Sequence, residues 1–367
     1  MLLRSAAVLA AVAVVVGFLT MWAGTYSVAA SRGHWPGFEL LLDFAMRSSV
    51  RTHAMLIEVP EIGQPERLRR GAGHFQQGCA PCHGSPSEPS MLVVRHMLPP
   101  PSDLKVLAPT WKTKELFWIA RNGLKYTGMP AWPAQQRDDE VWDVVAFLRA
   151  LPTMSAGRYR ELADFAAGEG PTGRPSRTPN QARLAACAHC HGDDGRGRGE
   201  EGRATTAFPR LDIQTGPYLL DQLRAYATGA RASGFMQTAT AELSDEEMAW
   251  LAEHYARSPK AIAAARAAAE PDSSYREGEA LFRGGAPAQG VPACAACHGA
   301  RAAGRDLRYP ALLGQYESHM TTQLQLFRQG KRNATEASRL MATIAGRMTD
   351  AQVAAVAGWL AAQSAGD

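Results

Sequence analysis

Six cysteines are the residues of this sequence whose type and spacing most clearly indicate chemistry. All six fall in three copies of the motif C-x-x-C-H, which is typical of covalent attachment of a c-type haem. The two thiols of a copy add to the two vinyl groups of one porphyrin, and the adjacent histidine binds the iron. The sequence therefore predicts three covalently bound haems, held by Cys79, Cys82 and His83, by Cys187, Cys190 and His191, and by Cys294, Cys297 and His298.

Two other uses of paired cysteines fit this sequence less well. A structural zinc site usually combines two C-x-x-C pairs that lie about 15–20 residues apart. The pairs here begin at positions 79, 187 and 294, which are 108 and 107 residues apart. A thioredoxin-like redox motif needs a βαβ context, and the sequence contains no such pattern.

A methionine follows each motif at a similar distance, so the chain contains an internal repeat. The three are Met129, 46 residues after His83; Met236, 45 after His191; and Met341, 43 after His298. A methionine thioether as the sixth ligand raises the potential of a haem relative to a second histidine. We predict these methionines as the distal iron ligands. Because six-coordinate iron has no open site, we predict no catalytic residue and no small-molecule substrate.

Helices are the elements expected to position these residues. Ser244 with Glu247, and Thr349 with Gln352, have the spacing of capping boxes and predict helices that begin at equivalent positions after Met236 and Met341. In the first copy, either Asp138 or Asp139 is expected to cap the corresponding helix.

A second helix is predicted just before two of the motifs. Gly71 and Phe75, and likewise Gly278 and Phe282, lie four residues apart, so the glycine admits a crossing helix and the aromatic ring fills the crossing. The second copy lacks this pair, and its first helix is expected to be short. No alternation of apolar and polar residues is long enough for a sheet, so the predicted fold class is all-α.

Composition excludes several classes of protein. The 367 residues are 46% hydrophobic and 20% charged, which is neither a disordered nor a collagen-like composition. A net charge of +4 without any basic cluster gives no indication of a nucleic-acid partner.

The predicted organisation is a transmembrane anchor or signal peptide over 1–30, an amphipathic connecting segment over 31–63, haem domains over 64–153, 176–258 and 271–367, and linkers around 153–178 and 258–272.

Each of the three units resembles a class I cytochrome c domain. The first is similar to single-haem bacterial cytochromes c through TGMPAW at 127–132. The second and third together resemble the dihaem cytochrome c4 family through YPALLGQY at 309–316, QLQLFRQGKRN at 323–333 and a methionine followed by a capped helix. The resemblance covers about residues 64–365. It supports the same axial methionines and implies that a backbone carbonyl near Pro209, Pro310 or one of Pro99–Pro101 orients each proximal histidine.

Other candidate ligands are weighed against these residues. Met248 and Met348 lie at positions typical of packing. In the first unit His96, Met91 and Met97 remain alternative distal ligands. Lys331 and Arg332 either neutralise a haem propionate or form an ordinary solvated pair.

The N-terminal segment contains no charged residue from position 5 to position 31 and is apolar enough at 6–23 to span a bilayer. We favour an uncleaved anchor, although the sites ending at Ala29 and Ala30 also suit signal peptidase. Haem attachment then implies the periplasmic side of a bacterial inner membrane. The segment 36–60 is expected to lie as an amphipathic helix on the membrane or a partner, or to pack on the first haem domain.

The function expected from these features is the transfer of single electrons along a chain of haems. The expected donor is a membrane-embedded quinol-oxidising complex or a dehydrogenase, and the expected acceptor is a terminal oxidase or a soluble cytochrome or cupredoxin. A close alternative is the cytochrome subunit of a periplasmic alcohol or aldehyde dehydrogenase complex. A multi-haem peroxidase is the rival from another class, but it would need an iron with an open site.

Overall fold

The computed structural model describes residues 2–25, 27–29, 31–34, 37–163, 178–197, 207–258, 273–299 and 309–363. Within these ranges the regular structure is helical, and the single β pairing is an isolated bridge between Ala286 and Val291. This confirms the predicted all-α fold. The predicted linker over 258–272 lies outside the described residues except for Ser258, as do residues 164–177 of the linker predicted over 153–178.

The helices fall into an N-terminal segment followed by three groups, one around each C-x-x-C-H motif. The N-terminal segment contains α1 (Leu2–Trp22) and α2 (Phe38–His53). The first unit contains α3 (Pro65–His74), α4 (Ala80–His83), α5 (Leu104–Leu107), α6 (Thr113–Asn122), α7 (Asp138–Ala150) and α8 (Ala156–Ala163). The second contains α9 (Pro179–His191), α10 (Gly216–Ala227), α11 (Gly234–Thr240) and α12 (Asp245–Arg257). The third contains α13 (Ser273–Gly284), α14 (Ala295–His298), α15 (Glu317–Arg328), α16 (Glu336–Ala345) and α17 (Asp350–Ala361).

The crossing of two helices forms the core of the first and third units. A Cβ atom on Gly71 of α3 would lie 1.9 Å from the Asp143 carbonyl oxygen of α7, and one on Gly278 of α13 would lie 2.2 Å from the Ala355 carbonyl oxygen of α17. Only glycine allows the backbones to approach this closely. Phe75 fills the first crossing, with its ring 4.8 Å from that of Phe147. The predicted role of these glycines is therefore confirmed.

The predicted caps are confirmed in the second and third units and are wrong in the first. The Ser244 backbone N–H donates to Glu247 Oε2 (2.8 Å), and the Thr349 N–H donates to Gln352 Oε1 (3.0 Å), as capping boxes require. In the first unit α7 begins at Asp138 itself and has no side-chain cap. Asp138 forms an ion pair with Arg121 instead. Its negative charge still interacts favourably with the positive, N-terminal end of the helix dipole.

Two helices at the edges of the first unit extend its core. The C-terminal half of α2 packs against the unit through Val50, which is 1% exposed, and Arg47 lies 4.8 Å from the ring centroid of Trp111. Residues 38–44 of the same helix expose apolar side chains, among them Leu40 and Phe44. At the other edge α8 buries Tyr159 completely, so packing continues past residue 153.

The N-terminal helix α1 is long and apolar enough to cross a bilayer. Its stretch Arg4–Trp22 has a mean hydropathy of 2.2 and is not buried against the rest of the protein. A membrane anchor and a signal sequence share these properties.

Candidate haem sites

Each C-x-x-C-H motif lies on helical turns. The motif of the first unit begins with the last residue of the π-helical turn Phe75–Cys79 and continues through α4. The motif of the second unit forms the C-terminal end of α9. The motif of the third unit begins at Cys294, the residue before α14, and continues through that helix. Residues three and four apart lie on one face of a helix, so both cysteines and the histidine of a motif share a face. This is the arrangement that attachment and ligation of one porphyrin require.

Backbone carbonyls orient two of the proximal histidines. His298 Nδ1 lies 3.0 Å from the Pro310 carbonyl oxygen, and His83 Nδ1 lies 2.8 Å from that of Ser102. Pro310 is confirmed in the role that the resemblance implies. In the first unit the acceptor is the carbonyl of Ser102, directly after the Pro99–Pro101 run, which agrees with the predicted carbonyl near these prolines. A hydrogen bond from Nδ1 leaves Nε2 as the metal-binding atom and increases its basicity.

In the second unit the contact between the proximal histidine and its proline carbonyl has poorer geometry. His191 Nδ1 is buried and has no hydrogen-bond partner of good geometry among the described residues, although the Pro209 carbonyl is close enough to oppose the effect of burial on its pKa. Burial lowers the pKa of His191 to about 4, so the ring is neutral at physiological pH and keeps a lone pair for a metal. The ring of Phe208 lies 6.3 Å from it, as that of Tyr309 lies 6.0 Å from His298.

The three predicted distal methionines are half-buried, but they lie on two kinds of element. Met129 belongs to the loop between α6 and α7, and its backbone N–H donates to Thr127 Oγ1 (3.1 Å). Met236 and Met341 lie on α11 and α16. A rigid helix and a tied loop are both suitable carriers for a thioether ligand, and the assignment of these residues remains a prediction.

The competing methionines divide into two groups. Met248 and Met348 are buried in the cores of the second and third units, which confirms their predicted packing role. Met97 lies beside the distal loop, since a Cβ atom on Gly128 would lie 2.2 Å from the Met97 methyl carbon. Met97 is therefore an alternative ligand that lies beside the loop of Met129.

Amide side chains join the second and third units reciprocally. Gln315 Oε1 accepts from the Arg210 backbone N–H (2.9 Å), while its Nε2 donates to the Arg210 carbonyl oxygen (3.0 Å). Gln214 makes the same two bonds with Ala311, at 3.0 and 2.9 Å. Each of these glutamines, and each of their partners, lies 101 residues from its counterpart in the other unit. The two units therefore face each other across an approximate two-fold axis.

A pair of arginines lies at the same junction. Arg231 donates to Gln222 Oε1 (2.7 Å) and Gln323 Oε1 (3.2 Å), and Arg332 hydrogen-bonds to the same two oxygens. Among the ion pairs of the described residues, the neighbouring Lys331 pairs with Asp138 (3.6 Å), while neither Arg231 nor Arg332 pairs with a carboxylate. Burial, and then the charge of Arg231, lower the pKa of Arg332 to about 10. Two adjacent cations without a carboxylate partner favour the binding of an anion.

The residues present fit a covalently bound haem. Each unit supplies two thiols and an imidazole on one helical face, a half-buried thioether, and, in two units, a carbonyl that orients the imidazole. The described residues contain no disulfide, and all six cysteines are free to form thioethers. An all-helical fold with this donor set defines a class I c-type cytochrome, which is an electron-transfer protein.

The chain belongs to the cytochrome c family and resembles the cytochrome c4 group. The model of the cytochrome c family matches residues 181–255 and 275–364, and that of "Cytochrome C oxidase, cbb3-type, subunit III" matches residues 66–148. These matches confirm the resemblance and the class of function, electron transfer by a cytochrome with covalently bound c-type haem.

Two curated relatives and one solved structure illustrate the similarity. The "Thiosulfate dehydrogenase electron acceptor" of Thiomonas intermedia is 39% identical over 184 residues, which are 49% of this chain and 79% of the relative. Cytochrome c4 of Pseudomonas aeruginosa is 33% identical over 49% of this chain and 85% of its own length. The crystal structure of cytochrome c4 from Pseudomonas stutzeri covers 50% of this chain and 96% of its own, with 28% identity and a TM-score of 0.43.

Proposed function

We propose that the protein carries three c-type haems, one in each unit. The observation that carries this proposal is the recurrence of one donor set: two cysteines and a histidine on a helical face, with a half-buried methionine 43 to 46 residues later. The proposed covalent attachments are through Cys79, Cys82, Cys187, Cys190, Cys294 and Cys297. The proposed axial pairs are His83 with Met129, His191 with Met236, and His298 with Met341.

The proposed role is the transfer of single electrons at the periplasmic face of a bacterial inner membrane. The apolar helix α1 and the exposed apolar residues 38–44 of α2 support an anchor at the N-terminal end. A quinol-oxidising complex or a dehydrogenase would supply the electrons, and a terminal oxidase or a soluble cytochrome or cupredoxin would accept them. The match of residues 66–148 to an oxidase-subunit model supports the acceptor side of this proposal.

A second candidate is the cytochrome subunit of a periplasmic dehydrogenase complex. It is favoured by the 39% identity to a relative named as the electron acceptor of a thiosulfate dehydrogenase. That similarity extends the range of expected dehydrogenase substrates from alcohols and aldehydes to small sulfur oxyanions. Both candidates share the same electron-transfer chemistry, and co-purification from membranes distinguishes them by the partner that is recovered.

Haem quantification with a redox titration of the purified protein tests the proposal directly. We expect three haems per chain, and Met129→His should lower the potential of one haem while the other two keep theirs, because a second histidine favours ferric iron. Met248→Leu is the matched control, since Met248 packs in a core, and it should move no potential. A shift of all three potentials would contradict independent units, and an unchanged titration of Met129→His would point to Met97 as the ligand.

Replacement of residues 1–30 by a cleavable signal peptide tests the anchor. We expect a soluble three-haem protein, because α1 contains the stretch that is long enough to span the bilayer. A product that stays in the membrane fraction would instead place the attachment at residues 38–44 of α2 or at a partner protein.

A further inference from the structure

The second cysteine of the motif is covered to a different degree in each unit. Cys297 is exposed, Cys82 is half-buried and Cys190 is buried. The first unit contributes to the cover over Cys190, because a Cβ atom on Gly73 of α3 would lie 3.6 Å from Cys190 Sγ and 3.6 Å from Phe208 Cζ. No other atom outside the residue's own helix backbone and chain neighbours lies within 4 Å of that position, so this face of α3 meets the second unit.

Aromatic rings from both units pack next to this contact. The ring of His74 lies 4.6 Å from that of Phe235 in the second unit and 5.6 Å from that of Trp132 in its own, both edge to face. Burial lowers the pKa of His74 to about 4, so the ring is neutral and packs as an aromatic group. Trp132 follows the distal loop of the first unit, and Phe235 directly precedes Met236 of the second.

Close approach at the junction depends on a glycine. A Cβ atom on Gly234 would lie 2.3 Å from Trp132 Nε1 and 2.5 Å from its Cε2, distances that no side chain tolerates. The indole therefore lies directly on the backbone at the start of α11, two residues before the predicted distal ligand of the second unit.

A buried carboxylate holds the two units together. Glu140 of α7 accepts hydrogen bonds from Ser233 Oγ (2.6 Å), from the Gly234 N–H (2.8 Å) and from Trp132 Nε1 (3.2 Å). Arg137 Nη1 lies 3.0 Å from Glu140 Oε1 and donates to the Ala232 carbonyl oxygen of the second unit (2.8 Å). Every partner of this carboxylate is a donor, and two of them belong to the second unit. Hydrogen bonds to a buried charged acceptor are among the stronger ones.

We propose that this junction is a fixed electron-exchange contact. In it the first unit is docked on the second at Cys190, one of the two proposed haem-attachment residues of that unit, and Glu140 is the positioning residue. The inference rests on the proposed function, because it requires haems in both units. With haem bound in both units, one electron would pass between them, so that one iron would be oxidised and the other reduced, with no proton or atom transferred. Fixed docking removes the need for the first unit to find its partner by diffusion after each turnover.

Glu140→Gln tests the contact with little change in shape. The amide NH2 of the variant must face two of the donors that the carboxylate now accepts from, which weakens the junction without removing a side chain. Glu115→Gln is the matched control: Glu115 is also a buried glutamate of the first unit, and its Oε2 accepts from the Lys112 N–H (2.8 Å), within that unit. Gly73→Leu is a second variant, because the Cβ atom that it adds lies within 4 Å of Cys190 and Phe208 of the second unit.

Two-dimensional exchange NMR of the half-reduced protein measures electron exchange between each pair of units. In Glu140→Gln and Gly73→Leu we expect electron exchange between the first and second units to slow about tenfold or more. For Glu140→Gln the reason is that the loss of hydrogen bonds to a charged acceptor shifts the docking equilibrium by at least that factor. Exchange between the second and third units, the haem content and the potentials should stay unchanged. Glu115→Gln should leave both exchange rates unchanged.

Hydrogen–deuterium exchange of residues 233–240 provides a second measurement of docking. We expect faster amide exchange there in Glu140→Gln and Gly73→Leu, and none of this change in Glu115→Gln. Amide exchange that rises while electron exchange stays at the wild-type rate would overturn the inference and leave the three-haem proposal standing. Fewer than three haems in the wild-type protein would overturn the proposed function instead.

Discussion

The two junctions between the three units are built on different principles. The second and third units meet through equivalent residues, and Gln214 and Gln315 each bond the backbone of the other unit. The first unit meets the second through aromatic rings, glycines and the carboxylate of Glu140, none of which has a symmetric counterpart in the contact. Two related domains can use one surface twice, whereas a third domain must dock on a surface that remains free.

The reciprocal junction also shows where equivalence ends. Arg210 and Asp212 form a buried ion pair with a distance of 2.5 Å between Nη2 and Oδ2. The equivalent positions of the third unit hold Ala311 and Leu313. One half of the junction therefore depends on buried charge and the other half on apolar side chains.

The largest effect is expected from Asp212→Ala, which leaves the buried charge of Arg210 without its partner. Removal of one member of a buried pair costs about 3–5 kcal/mol, so denaturant unfolding of the second and third units should shift by that amount. The double variant Arg210→Ala with Asp212→Leu copies the third unit and should recover most of the loss, because an apolar replacement of both charges is close to neutral. Asp245→Ala, at the exposed pair with Arg224, is the control and should cost less than about 1 kcal/mol.

A smaller effect is expected from Gln214→Ala and from Gln315→Ala. Each removes two hydrogen bonds to backbone groups of the other unit, which are buried at Arg210 and half-buried at Ala311, and unsatisfied groups of this kind cost about 1–3 kcal/mol. If the junction is two-fold in its energetics as well as in its geometry, the two variants should lose similar amounts of unfolding free energy. A clearly unequal loss would show that the Arg210–Asp212 pair supports one half more than the other.

Local features of the site were predictable from the sequence, because short spacing determines them. The turns that carry the motifs, the caps at Ser244 and Thr349, and the close crossing at Gly71 all follow from residues three or four apart. The cap at α7 was not predictable, because the carboxylate of Asp138 has a distant competitor in Arg121.

The contacts between units were missed for a different reason. Helical periodicity identifies which face of a helix is buried, but it gives no information on which domain covers that face. A signal was nevertheless present: Gln222 and Gln323, and Arg231 and Arg332, recur 101 residues apart, and an internal alignment extended beyond the haem motifs would have paired them. Glu140 offered no comparable signal, since an acidic residue in the first turn of a helix is common.

The smallest expected effect is a difference in pH dependence between the capping box of α12 in the second unit and that of α17 in the third. A hydrogen bond from the Ser244 backbone N–H, and then one from Arg183, lower the pKa of Glu247 below its ordinary value of 4.5. The carboxylate therefore stabilises the folded state at pH values above about 4.5, and this stabilisation is lost as the pH falls through the lowered pKa. Gln352 holds the equivalent place at α17 and does not titrate. Amide hydrogen exchange at the start of α12 should accelerate in acid relative to that of α17, and Glu247→Gln should abolish this difference. A difference that persists in Glu247→Gln would assign the acid sensitivity to another group and would leave the two caps equivalent.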